Sequence, residues 1–111
     1  MYFVDDGWMQ YAVIFVSKRS ELDPEGYTAM SAEMVAMVSK QEGFLWVDSV
    51  FDAAEQTGIT VSYWKDLASI KKWKGNARHK QAQAEGRRVW YSSFDIHVAK
   101  VKRSKKMGSK L

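Results

Sequence analysis

Residues 59–91, ITVSYWKDLASIKKWKGNARHKQAQAEGRRVWY, read as a strand, a helical region and the start of another strand. The opening segment is rich in β-branched and aromatic residues, the composition of a pleated, half-buried surface. Asp66 can cap a helix whose apolar face is Leu67, Ile70 and Trp73, at three-residue steps. Gly75-Asn76 interrupts that helix. Glycine is a poor interior residue and asparagine a good N-cap, so the spacing predicts two short helices, over 66–74 and 77–85, the second closed by Gly86. The stretch also carries Trp64, Trp90, Tyr91 and His79.

Upstream, residues 11–17 (YAVIFVS) form a strand that is apolar on both alternating faces. Such a strand belongs in a sheet covered on both sides, by helices on one and by another surface on the other. Asp23-Pro24 opens a helix, with Asp23 as N-cap and Pro24 first inside it. Tyr27, Met30, Met34, Met37 and Val38 make one apolar stripe, and Gly43 is expected to end the helix. The methionines suit irregular core packing better than a cofactor box. Residues 44–51 and 58–64 are two more strands with a polar connection of hairpin length. Residues 89–101 are a long last strand; Trp90, Phe94, Ile96 and Val98 on one face alternate with Tyr91, Ser93, Asp95 and His97 on the other. The order β-α-β-β-α-β is the ferredoxin-like split βαβ: an α+β fold with a four-stranded antiparallel sheet and helices on one face. Its uncovered face would expose apolar side chains, which a face-to-face homodimer would cover.

The chain has 111 residues, enough for one domain, and no cysteine. Disulfides, thiolate zinc sites and a cysteine nucleophile are therefore excluded. No apolar run reaches a membrane span, and the first ten residues carry two aspartates and no basic residue, so no signal peptide is read there. A cytoplasmic protein with no membrane partner is expected. The net charge of +4 is a tail effect. Residues 100–111 hold six basic side chains and no acid, leaving eleven of the 17 Lys and Arg against all 13 Asp and Glu. A nucleic-acid partner would need a basic face on the fold itself, so none is expected. Three regions follow: an N-terminal arm at 1–10, where Tyr2, Phe3, Trp8 and Met9 could pack on a partner; a folded domain at 11–103; and a basic, flexible tail at 104–111.

Trp73, Lys74, Asn76, His79, Ala82, Gln83, Gly86, Arg87, Trp90 and Tyr91 follow a W-K-x-N-x-x-H-x-x-A-Q-x-x-G-R-x-x-W-Y pattern, after a strand ending Ser62-Tyr63-Trp64-Lys65. With Glu42-Gly43-Phe44 at the entry to the second strand, this resembles the antibiotic biosynthesis monooxygenase-like group, over about residues 11–103. The resemblance implies a dimeric α+β barrel. For reaction it implies less, because the group spans quinol oxygenases, haem-degrading enzymes and proteins of no known activity. In the haem-degrading branch a functional Trp matches Trp73, but the axial His falls at Gln83 and the first-strand Asn has no equivalent in YAVIFVS. In the cofactor-free, quinone-forming branch a Trp matches Trp64, and an Asn falls at Thr60.

A cofactor-free oxygenase needs an aromatic-lined pocket, a base and a donor for the developing oxyanion. His79 suits the base by its ordinary pKa. Asn76, Thr60, Ser62 and Tyr91 could donate, and Trp64, Trp73 and Trp90 could sandwich a flat ring. Against this, one straight helix over 66–85 would turn His79 to water; only a break at Gly75-Asn76 re-aims it. Trp64 and Trp73 also read as core, and His97 as structural. His79 and His97 make no metal signature. Arg87-Arg88 could grip an anion or simply be exposed. The leading expectation is a homodimeric, cofactor-independent monooxygenase of a small aromatic or quinone-like molecule, with His79 and Asn76 catalytic and Trp64, Trp73, Thr60, Trp90 and Tyr91 binding substrate. The alternative is a non-enzymatic, small-ligand-binding or stress-associated dimer. A third reading places haem on His79 in a shifted register.

Overall fold

Strand β2 (Gln10–Arg19) is the spine of the molecule. It pairs antiparallel with β4 (Thr57–Trp64) on one side and β5 (Tyr91–Val101) on the other, and β3 (Phe44–Asp52) adds to β4. The sheet order β3-β4-β2-β5, in this computed structural model, is the antiparallel four-stranded sheet expected. The structure describes residues 2–4 and 10–107. Helices α1 (Pro24–Val38), α2 (Leu67–Lys74) and α3 (Ala77–Glu85) complete the ferredoxin-like arrangement.

The caps do what the sequence asks. The Asp23 carboxylate accepts the Gly26 N–H at 3.1 Å, Asp66 the Ser69 N–H at 2.8 Å, and Asn76 Oδ1 the His79 N–H at 3.0 Å. The helical region does break at Gly75-Asn76, where Gly75 is the C-cap of α2 and Asn76 the N-cap of α3. A two-pronged ion pair between Arg78 on α3 and Glu33 on α1 ties the short helix to the long one.

Two expectations change. Helix α1 ends at Val38 with Ser39 as its cap, so Gly43 does not terminate it. Gly43 lies in the turn into β3 at φ +81°, and its carbonyl accepts the Lys65 N–H at 2.7 Å, stitching the start of β3 to the end of β4. The last strand begins at Tyr91 rather than 89, because Gly86–Trp90 forms one wide π turn that brings Trp90 into the interior. Strand β1 (Tyr2–Val4) pairs antiparallel with β6 (Ser104–Lys106), two segments satisfying each other's backbone groups. The packing expected of the Tyr2, Phe3, Trp8 and Met9 side chains lies outside what is described.

The core forms where the helices meet one end of the sheet. Val38, Trp64 and Trp73 are buried there, with Val13, Met34, Met37, Phe44 and Ile70 packed on them. The two methionines thus fill core space. Strand alternation then sorts the remaining side chains. Val13, Phe15, Ser17, Phe51, Ser49, Thr60 and Ser62 share the helix-facing side with Trp64. Ile14, Val16, Trp46, Val50, Ile59, Val61 and Tyr63 take the opposite side. There Trp46 and Tyr63 stack at 4.3 Å, while Val50 is 68% exposed and Ile59 40% exposed.

Gly43 gives a direct check. A Cβ at this position would stand 2.0 Å from Ser69 Oγ, and its backbone conformation strains any other residue. Gly43→Ala is expected to cost about 1–3 kcal/mol, lowering the melting temperature by roughly 5–15 °C. Gly75→Ala, whose Cβ would meet only ordinary contacts at 3.5 Å, is the control and should melt within about 2 °C of the parent. Calorimetric melts of the two variants decide it.

Candidate functional site

The break before α3 determines where His79 points. Its ring stacks on Trp73, centroids 4.3 Å apart and planes at 15°, and Nδ1 lies 3.2 Å from the Trp73 carbonyl. A carbonyl only accepts, so Nδ1 carries the proton and the Nε2 lone pair is left as the basic position. Burial pushes the His79 pKa below its ordinary value, partly offset by the bond to the Trp73 carbonyl. The imidazole is therefore neutral at pH 7. Asn76 holds this geometry through its cap to the His79 amide.

Trp64 and Trp73 are buried walls, at 1% and 9% exposure. The Trp64 indole N–H donates to Ser62 Oγ at 2.9 Å, which directs a hydroxyl to the helix-facing side of the sheet. Two pairs further along, Ser49 Oγ and Thr60 Oγ1 are 2.8 Å apart, with Thr60 opposite Phe15. Hydroxyls therefore run along a face that packs apolar side chains at the Trp64 end.

The seven residues singled out in the sequence do not all meet. Trp64, Trp73, His79 and Asn76 cluster at one end. Trp90 and Tyr91 lie at the other: Trp64 pairs with Tyr11 and Tyr91 with Arg19, eight residues along β2, about 26 Å at ~3.3 Å per residue. A ring sandwiched by Trp64, Trp73 and Trp90 together is thus not what the fold builds. Trp90 is buried within the chain, edge-on to Tyr27, and its indole N–H points to Asp23 Oδ2 at 3.4 Å. Thr60 lies midway between the two ends, opposite Phe15, whose ring meets Tyr91.

The second end holds residues that sequence reading missed. Tyr91 meets Phe15 edge-on at 5.2 Å and Tyr27 at 6.0 Å, and Phe94 lies 5.6 Å from Phe15. The Arg19 guanidinium lies over the Tyr27 ring at 3.6 Å and the Phe51 ring at 4.1 Å. Tyr91 faces the helices here because an extra residue, Ser92, bulges out of the ladder between the Lys18–Ser93 and Arg19–Tyr91 pairs. Burial, with the Tyr27 hydroxyl beside it, pushes the Tyr91 phenol well above its ordinary pKa, so it stays protonated. The available signal was alternation: Phe15 and Arg19 fall on one face once the strand is allowed to run past residue 17. A separate shallow depression of about 350 Å³ lies by the β3–β4 hairpin, lined by Val50, Phe51, Asp52, Glu55, Thr57 and Ile59, and touches none of the anticipated residues. Among the described residues no three His, Asp or Glu side chains gather to hold a metal ion, and no helix is long and apolar enough to cross a membrane.

The buried imidazole makes a pH prediction. Its folded-state pKa is below the unfolded value of 6.5, so its contribution to stability is present above pH 6.5 and is lost as pH falls through the folded pKa. The melting temperature should therefore drop on going from pH 7.5 to 5. His79→Phe, which keeps a ring against Trp73 but cannot take a proton, should flatten that part of the profile. A parallel decline in both proteins would refute the assignment.

Comparison with known proteins adds the lineage. Residues 9–85 match the family model described as antibiotic biosynthesis monooxygenase. The uncharacterized protein YqjZ of Bacillus subtilis is 45% identical over 95 residues, covering 86% of this chain and 82% of that protein. Protein SO0527 from Shewanella oneidensis superposes with a TM-score of 0.75 at 12% identity, over 89% of this chain and 96% of that one. SnoaB of Streptomyces nogalater, a cofactor-independent oxygenase, superposes with a TM-score of 0.66 at 9% identity, over 95% of this chain and all of that one. At such identities the structural likenesses speak for the fold alone. The family match spans most of the chain, the Bacillus relative extends it at high identity, and the helix pair broken at Gly75-Asn76 lies inside the matched region: this chain belongs to the antibiotic biosynthesis monooxygenase family.

Proposed function

We propose that this protein is a cofactor-independent monooxygenase of a small, flat, electron-rich aromatic molecule, bound on the helix-facing side of the sheet. The observation that carries the reading is the hydroxyl row of Ser49, Thr60 and Ser62 on a side otherwise built from Phe15, Trp64 and other apolar groups. The keto tautomer of such a phenol presents a CH2 carbon to oxygen. Replacing both of its hydrogens with one atom of O2 releases the other as water, so no external reductant enters. The protein must take a proton, hold the resulting anion and keep the ring in place. Thr60, set by its bond to Ser49, donates to the substrate oxygen, and Trp64 and Trp73 back the site; Trp90 and Tyr91 lie about 26 Å from Trp64, at the other end of the sheet. His79, neutral and with a basic Nε2, is the base, and Asn76 positions it. A second copy covers the opposite side of the sheet, where Val50, Ile59 and the Trp46–Tyr63 stack would otherwise meet water.

One observation favours the binding-protein alternative. Asn76 and His79 Nδ1 are both engaged in holding α3 against Trp73. In that reading the pair is structural and the same face binds an aromatic ligand without turning it over.

Oxygen uptake with a panel of anthrones and quinols separates the two. The oxygenase reading expects turnover that falls about 10²–10⁴-fold in His79→Ala, the range for loss of a general base. Thr60→Val should lose at least tenfold, and Trp73→Phe should weaken binding. Uptake by the parent no greater than in His79→Ala, with aromatic binding retained, would establish the binding protein. Sizing at micromolar concentration checks the pairing: a dimer is expected, and Val50→Asp should shift it to monomer.

A further inference from the structure

We infer that Arg19 is an anion-binding group, and that the ligand of the helix-facing surface is an aromatic carboxylic acid whose carboxylate sits on this guanidinium. A partly buried guanidinium is usually matched by a carboxylate of its own chain. Arg19 is not. It makes no ion pair among the described residues, and its Nε is buried without a hydrogen-bond partner. Leaving such a donor unsatisfied is costly, so the arrangement persists for some other reason. The Asp23 and Asp52 carboxylates have partners of their own. Asp23 accepts the Gly26 amide and faces the Trp90 N–H, and Asp52 Oδ1 accepts the Ala54 N–H at 3.0 Å.

The guanidinium is also held flat. Its central carbon lies over both the Tyr27 and the Phe51 ring, contacts that restrict its orientation. A planar fork presented by its edge matches a carboxylate through two parallel N–H···O bonds. The protonated Tyr91 phenol adds a donor beside it, and Phe15, Tyr91 and Phe94 form a continuous aromatic floor leading from Arg19 toward Thr60. An aromatic acid fits both parts, with its carboxylate on the fork and its ring on the floor. Arg19→Gln removes the charge; Arg19→Lys keeps the charge and loses the fork.

This assigns a substrate class to the surface of the proposed function and rests on that reading for its catalytic meaning, but equilibrium binding tests it without turnover. Calorimetric titration of the full chain with 2-naphthoate and 2-naphthamide compares the ionised and neutral forms of one ring. The parent should bind the carboxylate at least tenfold more tightly. Arg19→Gln should abolish that preference, Arg19→Lys should retain only part of it, and Tyr91→Phe should reduce it severalfold. Equal binding of the two probes by the parent, no carboxylate binding up to millimolar concentration, or a preference unchanged in Arg19→Lys would each overturn the inference. Should Arg19→Gln fail to fold, judged by its melt, Arg19→Lys decides. Carboxylate preference with no oxygen uptake would sink the oxygenase reading and leave this one standing.

Discussion

The indole of Trp64 is the constraint around which the site is arranged. It is the largest wholly buried side chain among the described residues, and it joins the sheet to the helices. A buried indole N–H needs an acceptor, and Ser62 supplies one from two residues back on the same face of β4. That solution has a consequence for chemistry. It places a hydroxyl on the helix-facing side, and the next residue on that side, Thr60, continues the polar row with Ser49. A surface that could have been wholly apolar becomes one able to orient an oxygen-bearing ring.

Packing on the other side of Trp64 produces the histidine. Trp73 shares its core cluster, and the chain must turn immediately after Trp73 for α3 to return across the sheet. Gly75 ends one helix and Asn76 starts the next, so His79 folds back onto the Trp73 ring instead of projecting into water. One local break therefore sets the ring's orientation, its tautomer and the direction of its pKa shift. The Arg78–Glu33 pair, beside His79 in sequence, holds α3 in this position against α1.

The opposite end of the sheet follows a different logic. Phe15, Tyr27, Tyr91 and Phe94 are joined there by ring contacts, and Tyr27 and Phe51 lie against the Arg19 guanidinium. The π turn at Gly86–Trp90 and the bulge at Ser92 make this possible. The turn lets Gly86 lie against Tyr91, where a Cβ would come within 2.6 Å of the ring, and the bulge turns Tyr91 toward the helices. The two ends thus divide the work: one makes the core and holds the imidazole, the other offers charge and aromatic surface.

Much of this was legible from residues alone. Alternation in 11–17, 44–51 and 58–64, the Asp23-Pro24 and Asp66 caps and the Gly75-Asn76 break report local backbone preference, which a chain expresses wherever it folds, and they determined the element order and hence the fold. The candidates Trp64, Trp73, His79 and Asn76 were legible as a group because they lie within sixteen residues and their helices are short. The tertiary structure alone decided that Trp90 and Tyr91 stand about 26 Å from Trp64, since neighbours in sequence on β5 are placed by pairing with β2 and not by proximity along the chain. It alone decided that Arg19, 72 residues before Tyr91, lies with it in one aromatic cage. Long-range strand register and a single-residue bulge made that choice, and neither leaves a local signature in composition or period.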